Sequence, residues 1–161
     1  MEVRPAQVEH AEAIRAIYNL EVTTSTMTFD LVPRSLAEQR AWLVERTGAR
    51  AAVVAVEGEE VLGFGALSPY RDRPAYSTTV EDSVYVRRDQ RGQGVGRALL
   101  TELVTVARES GFHGMVARIV DGHQASLALH ASLGFDVVGT ELEVGRKFNR
   151  WLDVVVMQRL L

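Results

Sequence analysis

Apolar residues recur with helical spacing over Gln7–Glu21, where Ala11, Ile14, Ile17 and Tyr18 share one face, and this predicts a helix after a short strand at Met1–Arg4. Val22–Pro33 is rich in threonine, has no helical period and reads as a loop. Ser35-Leu36-Ala37-Glu38 is a capping box that opens a second helix to about Arg46. Ala51–Val56 and Val61–Leu67 are apolar runs around Glu57-Gly58-Glu59-Glu60, the pattern of a hairpin. After a loop, Pro69–Ser77, the pattern predicts a strand at Thr79–Val86, a helix at Arg97–Ser110 and a strand at Gly114–Val120. A shorter helix at Gln124–Leu133 stops at Gly134. Phe135–Glu143 and Trp151–Gln158 read as the last strands. The order β-α-α-β-β-β-α-β-α-β-β mixes hairpins with crossover helices. It predicts an α+β fold: a mixed central sheet of about seven strands with helices on both faces.

Composition narrows this little. The 161 residues fit one domain spanning 1–161. A net charge of -3 argues against wholesale nucleic-acid binding. The chain has no cysteine, so disulfides, thiolate zinc sites and a cysteine acyl-enzyme are excluded. No histidine–carboxylate spacing looks like a metal site. Met1–Glu12 holds no signal-peptide core, and no apolar run approaches the ~20 residues that span a bilayer, so the expected compartment is the cytoplasm, with no membrane partner.

The strongest chemical signal is Arg91-Gly92-Gln93-Gly94-Val95-Gly96, between a strand and a helix. Glycines there let a ligand approach the backbone. The helix start offers free N–H groups and the positive end of a dipole, which together hold phosphate or pyrophosphate. Arg91 and Arg97 add charge on either side. No Gly-Lys-Ser/Thr follows, which excludes a P-loop, and Leu99 stands where a dinucleotide fingerprint needs its third glycine. The alternative is a ligand-free glycine-rich turn.

What remains, Arg-x-x-Gly-x-Gly after a strand, resembles the pyrophosphate loop of the GCN5-related N-acetyltransferases, which use acetyl-coenzyme A. Asp121–Phe135 resembles a second segment of that superfamily, Asn-x-x-Ser-x-x-Leu-x-x-x-x-Gly-Phe, through Ser126 and Gly134-Phe135, with His123 in place of the usual asparagine. His130 stands in the region where many members carry a tyrosine. It points to the phosphinothricin and methionine sulfoximine N-acetyltransferases. So do Ser25–Phe29, Tyr70–Tyr76, Thr79–Val86 and Val144–Asp153, so that the resemblance covers essentially the whole chain.

The resemblance implies roles. Glu81 would take the proton of the acceptor amine, directly or through a water; its other reading is a solvated carboxylate on a sheet. Asp82 points to the other side of the strand and is the weaker candidate. His130, four residues after Ser126 and on the same helical face, would protonate the leaving thiolate or simply line the slot. Val84 and Val86 would present their backbones to the pantetheine arm. Arg91, Gly92, Gln93, Gly94, Val95, Gly96, Arg97, His123 and Ser126 would complete the coenzyme site. Arg73 and Arg71 would fork onto an anionic substrate group, with Phe29 and Tyr76 packing around it. Lys147 and Asn149 would sit in a glycine-opened loop near the site or a second subunit. The implied enzyme is a homodimer that moves an acetyl group directly to a small amino-acid-like amine, without a metal. Two rivals stay open: an acetyltransferase for another amine (a protein N-terminus, an aminoglycoside, a polyamine), and a non-catalytic coenzyme A binding module.

Overall fold

The computed structural model describes residues 1–161. Seven strands, β1 (Glu2–Pro5), β2 (Ala52–Glu57), β3 (Glu60–Pro69), β4 (Thr79–Val86), β5 (Gly114–Val120), β6 (Asp136–Lys147) and β7 (Arg150–Leu160), form one sheet in the order β1-β2-β3-β4-β5-β7-β6. The helices are α1 (Ala11–Thr24), α2 (Leu36–Val44), α3 (Val95–Glu109) and α4 (Gln124–Ser132). Every strand pair is antiparallel except β4 and β5, which are joined through α3. A parallel pair needs such a crossover, whereas the other neighbours are hairpins or meet by longer returns.

Both faces of β2 and β3 are covered, which explains their unbroken apolar runs. On one face α3 presents Leu99, Leu100, Leu103 and Ala107, all fully buried, to Val53, Leu62, Leu67, Val80 and Met115. Burial of each such leucine stabilises the fold by roughly 1.5–3 kcal/mol. On the other face α1 and α2 bring Ile14, Ile17, Tyr18 and Leu43 against Val54, Val56, Phe64 and Ala66. The capping box forms as expected: Ser35 Oγ accepts from the Glu38 N–H at 3.1 Å, and Glu38 accepts from the Ser35 N–H at 2.7 Å.

Three expectations need correction. The first helix begins at Ala11, after a single 3-10 turn at Val8–His10, and runs on to Thr24. The third begins at Val95, with Gly94 as its N-cap. Residues 144–149 form no open loop: β6 continues to Lys147 and turns tightly at Phe148 and Asn149, which have φ of 51° and 57°. Two left-handed residues are what a two-residue hairpin turn requires, and asparagine tolerates that conformation better than most.

β4 and β5 pair only at Thr79–Glu81 with Gly114–Val116. Beyond that point β4 keeps β3 as its neighbour through Val86, and β5 keeps β7 through Val120. The two central strands therefore part in the middle of the sheet.

Candidate active site

The wider end of this split leads to the glycine loop. Gly92 and Gly94 have φ of 75° and 85°, a conformation that residues with a side chain rarely adopt, and a Cβ at either would meet no atom within 4 Å. The backbone thus borders open space at the point where α3 starts with free N–H groups. Val84, Val86, Arg91, Gly92, Gly94, Gly96, Arg97, Ser126 and Met27 line a groove of about 360 Å³ here. The remaining two residues of the hexapeptide turn away: Val95 is buried in the core and Gln93 donates to the Asp89 carbonyl.

A buried glutamate that the sequence did not single out fixes this loop. Glu21 of α1 is 2% exposed and accepts from Arg88 Nε at 3.0 Å and Arg91 Nη2 at 2.8 Å. Burial works against its charge, but hydrogen bonding from Arg88 and the charge of Arg91 outweigh that and hold the carboxyl below its ordinary value. Arg87 ties the loop to the β2–β3 turn through Glu60 at 2.6 Å.

The groove continues into a narrower slot of about 70 Å³ between β4 and β5. Its walls include Asp82, Val84, Ala117 and Ile119 from one face of the sheet, and Ser83, Tyr85, Arg118 and Val120 from the other. Strand residues alternate faces, so the slot passes through the sheet. Ser126, His123 and His130 of the α4 region border it as well.

Asp82 and His130 meet on the α3 and α4 face. His130 Nε2 lies 2.9 Å from both Asp82 oxygens, and Nδ1 lies 2.8 Å from the Ser126 carbonyl. A carbonyl only accepts, so Nδ1 carries a proton, and Nε2 shares another with Asp82. Burial lowers the proton affinity of the ring, but the bond and charge of Asp82 and the Ser126 carbonyl more than reverse this, so His130 holds its proton above the usual histidine range. Both ring nitrogens are engaged.

Glu81 lies on the opposite face, in register with Val116 of β5. Burial pushes its carboxyl above the usual range; Arg118 opposes the shift, while Asp82 and Glu141 add to it. Arg118, next along β5 on that face, forms an ion pair with Glu141 of β6.

The segment after α1 crosses the slot. Met27 borders both groove and slot. Thr26 Oγ1 and His123 Nε2 lie 2.8 Å apart, which gives the histidine a partner of its own; burial lowers its pKa. Lys147 is buried and donates to the Thr28 carbonyl at 2.8 Å. It is therefore a structural tie in place of the expected loop cation, and burial lowers its pKa. The tip of the Phe29 ring packs on Gly145, where a Cβ would come within 2.3 Å of it. Asn149 accepts from Arg146 within the hairpin turn.

Arg71, Arg73 and Tyr76 line a separate pocket of about 260 Å³ with Arg50, Tyr70 and Phe112. It shares no residue with the slot. It does include Thr79, which is two residues before Glu81 and on the same face of β4. The substrate residues expected from sequence thus form two groups, Arg71, Arg73 and Tyr76 on one side and Phe29, Lys147 and Asn149 on the other. Arg118 at the slot and its partner Glu141 carry no local sequence signal, because only the strand register brings them together.

A split central sheet with a glycine loop at its mouth, Asp82 in its slot and Glu81 where the strands part is the arrangement of an acetyltransferase, and the chain belongs to the acetyltransferase (GNAT) family, whose profile matches residues 14–135. Among its relatives, the L-methionine sulfoximine/L-methionine sulfone acetyltransferase of Pseudomonas aeruginosa is 42% identical over 158 residues, covering 97% of this chain and 92% of the relative. A phosphinothricin acetyltransferase from Sinorhizobium meliloti, solved in complex with AcCoA, superimposes with a TM-score of 0.94 at 38% identity, covering 99% of this chain and 88% of that one. A ribosomal-protein-alanine N-acetyltransferase from Brucella melitensis superimposes with a TM-score of 0.97 at 37% identity over the full length of both chains.

Proposed function

We propose that this acetyltransferase moves the acetyl group of acetyl-coenzyme A directly to the amine of a small amino-acid-like acceptor of the methionine sulfone, methionine sulfoximine or phosphinothricin type. The observation that carries this reading is the slot through the sheet. It runs from the glycine loop, where a pyrophosphate fits, toward Glu81, at the point where β4 and β5 part, whose proton affinity burial raises above the ordinary carboxylate value. Acetyl-coenzyme A supplies the activated acyl group. The free edge of β4 at Val84 and Val86 offers its backbone to an extended arm, and N–H groups near Val84 are placed to stabilise negative charge developing on the thioester oxygen. Ser126 and His123 border the arm.

Glu81 accepts the amine proton from one face of the sheet. Its raised proton affinity brings it closer to the operating pH, where a general base is most effective. His130, on the other face, acts as a fixed positive charge beside the departing sulfur, because both of its nitrogens already have acceptors. Arg73 and Arg71, beyond Thr79, receive the oxygen-bearing head of the acceptor, with Tyr76 beside it. Phe29 covers the opening from the hairpin side.

Val137, Val138, Leu142 and Val144 of β6, Phe148 of the turn and Trp151 of β7 are all exposed apolar residues. They support a homodimer. No helix is long and apolar enough to cross a membrane, and we place the enzyme in the cytoplasm, with its coenzyme.

The likeness to the Brucella protein favours a second reading, in which the acceptor is a protein N-terminus. Free-thiol release over a panel of methionine sulfone, methionine sulfoximine, phosphinothricin, an alanine-initiated peptide and an aminoglycoside decides between them. Preference for the first three in kcat/KM supports the proposal. A wide preference for the peptide or the aminoglycoside overturns the acceptor while leaving the family intact.

A further inference from the structure

Arg118 is the cation whose charge bears on Glu81, and no part of the mechanism above uses it. It lines the slot and lies on β5, the strand that pairs with β4 at Glu81. Glu81 is in register with Val116, so Arg118, two residues further along β5, lies on the same face of the sheet as Glu81, close enough for its charge to bear on the carboxyl. Glu141 holds the guanidinium from β6, across β7, in an ion pair whose side chains are 40% and 37% exposed. A guanidinium carries five donors, and the bond to Glu141 uses one of them.

In an α-amino acid the amine and the carboxylate share one carbon. Whatever group takes the amine proton must therefore have a partner for the carboxylate within one side chain's reach. Arg71 and Arg73 occupy the pocket beyond Thr79 and suit the far head of the acceptor better than its α-carbon. On the acceptor reading given above, we propose that Arg118, steadied by Glu141, receives the α-carboxylate of the acceptor and so sets the preference for amino acids over simple amines. The planar fork matches a carboxylate in two parallel bonds. Binding has a second consequence: the substrate carboxylate neutralises the cation that opposes proton uptake by Glu81, so the base strengthens when the amine arrives.

The test compares methionine sulfone with its decarboxylated analogue, which keeps the amine and the sulfone. In the wild type, kcat/KM should favour the amino acid. In Arg118→Met this ratio should fall by about 10- to 100-fold, the range expected when one partner of a charge-assisted pair is lost. Arg118→Lys keeps charge without the fork and should fall part of the way; it decides the matter if Arg118→Met is too weak to assay. A ratio unchanged in both variants overturns the inference and leaves the acetyltransferase reading standing. So does a raised KM for acetyl-coenzyme A with the acceptor ratio intact, since the guanidinium would then serve the coenzyme. A wild type that acetylates neither compound overturns the acceptor reading and the inference with it.

Discussion

Asp82 and His130 are 48 residues apart in sequence, yet both Asp82 oxygens lie 2.9 Å from the same ring nitrogen of His130 in the floor of the slot. The side chains are 1% and 5% exposed, so a buried carboxylate faces the ring that it helps to keep protonated. On the proposed mechanism Asp82 acts through His130, as a positioning residue. Asp82→Asn should lower kcat and should destabilise the fold, by less than the ~3–5 kcal/mol of a broken buried pair because the imidazole can shed its proton. The folded pKa of His130 is raised. Its contribution is therefore fully present below the ordinary histidine value of about 6.5 and is lost as pH rises through the raised folded value. Urea melts of wild type and variant at pH 6 and pH 9 should show the larger gap at pH 6; equal gaps would contradict the charge assignment.

Glu81→Gln should lower turnover by about 10²–10⁴-fold while acetyl-coenzyme A still binds. The same change should stabilise the protein at neutral pH. Burial raises the folded pKa of Glu81, so its ionisation works against folding. That penalty is absent below the ordinary carboxylate value of about 4.3 and is complete above the raised folded value. Thermal melts at pH 4 and pH 8 check the sign: the variant's advantage in Tm should appear only at the higher pH.

Gly94→Val should abolish measurable coenzyme binding. A branched side chain is strained at φ of 85° and enters the space bordered by the loop. Titration calorimetry with acetyl-coenzyme A reads the loss, with a native circular dichroism spectrum as control. Unchanged affinity removes the glycine loop from the coenzyme site.

Arg73→Lys keeps a positive charge in the pocket beyond Thr79 but loses the fork. It should mainly raise KM for phosphinothricin with kcat little changed. Initial-rate kinetics that show an unaltered KM would place the head of the acceptor elsewhere.

Trp151 is 60% exposed and stacks under Arg146, whose guanidinium is 4.5 Å from the ring centre. Multi-angle light scattering over a concentration series should give a dimer for the wild type and a shift toward monomer for Trp151→Glu. A wild-type monomer at every concentration excludes the homodimer.

Sequence alone determined the features that are local. The capping box at Ser35 and Glu38 is satisfied by residues three apart, and the glycine loop joins a strand to a helix within a few positions, so each is complete in its own segment. Period-two alternation likewise put Glu81 and Asp82 on opposite faces of one strand. The end of β6 misled, because Val144–Asn149 has a loop's composition, and only pairing with β7 keeps it extended. Tertiary structure decided everything that depends on which strands lie side by side. The parting of β4 from β5 after Glu81 and Val116, the Asp82–His130 pair, the Glu21 anchor beneath Arg88 and Arg91, and the Arg118–Glu141 pair near Glu81 all join residues far apart in the chain. Their partners are chosen by sheet register and helix packing, energies that belong to the assembled core and leave no mark on any single stretch of sequence.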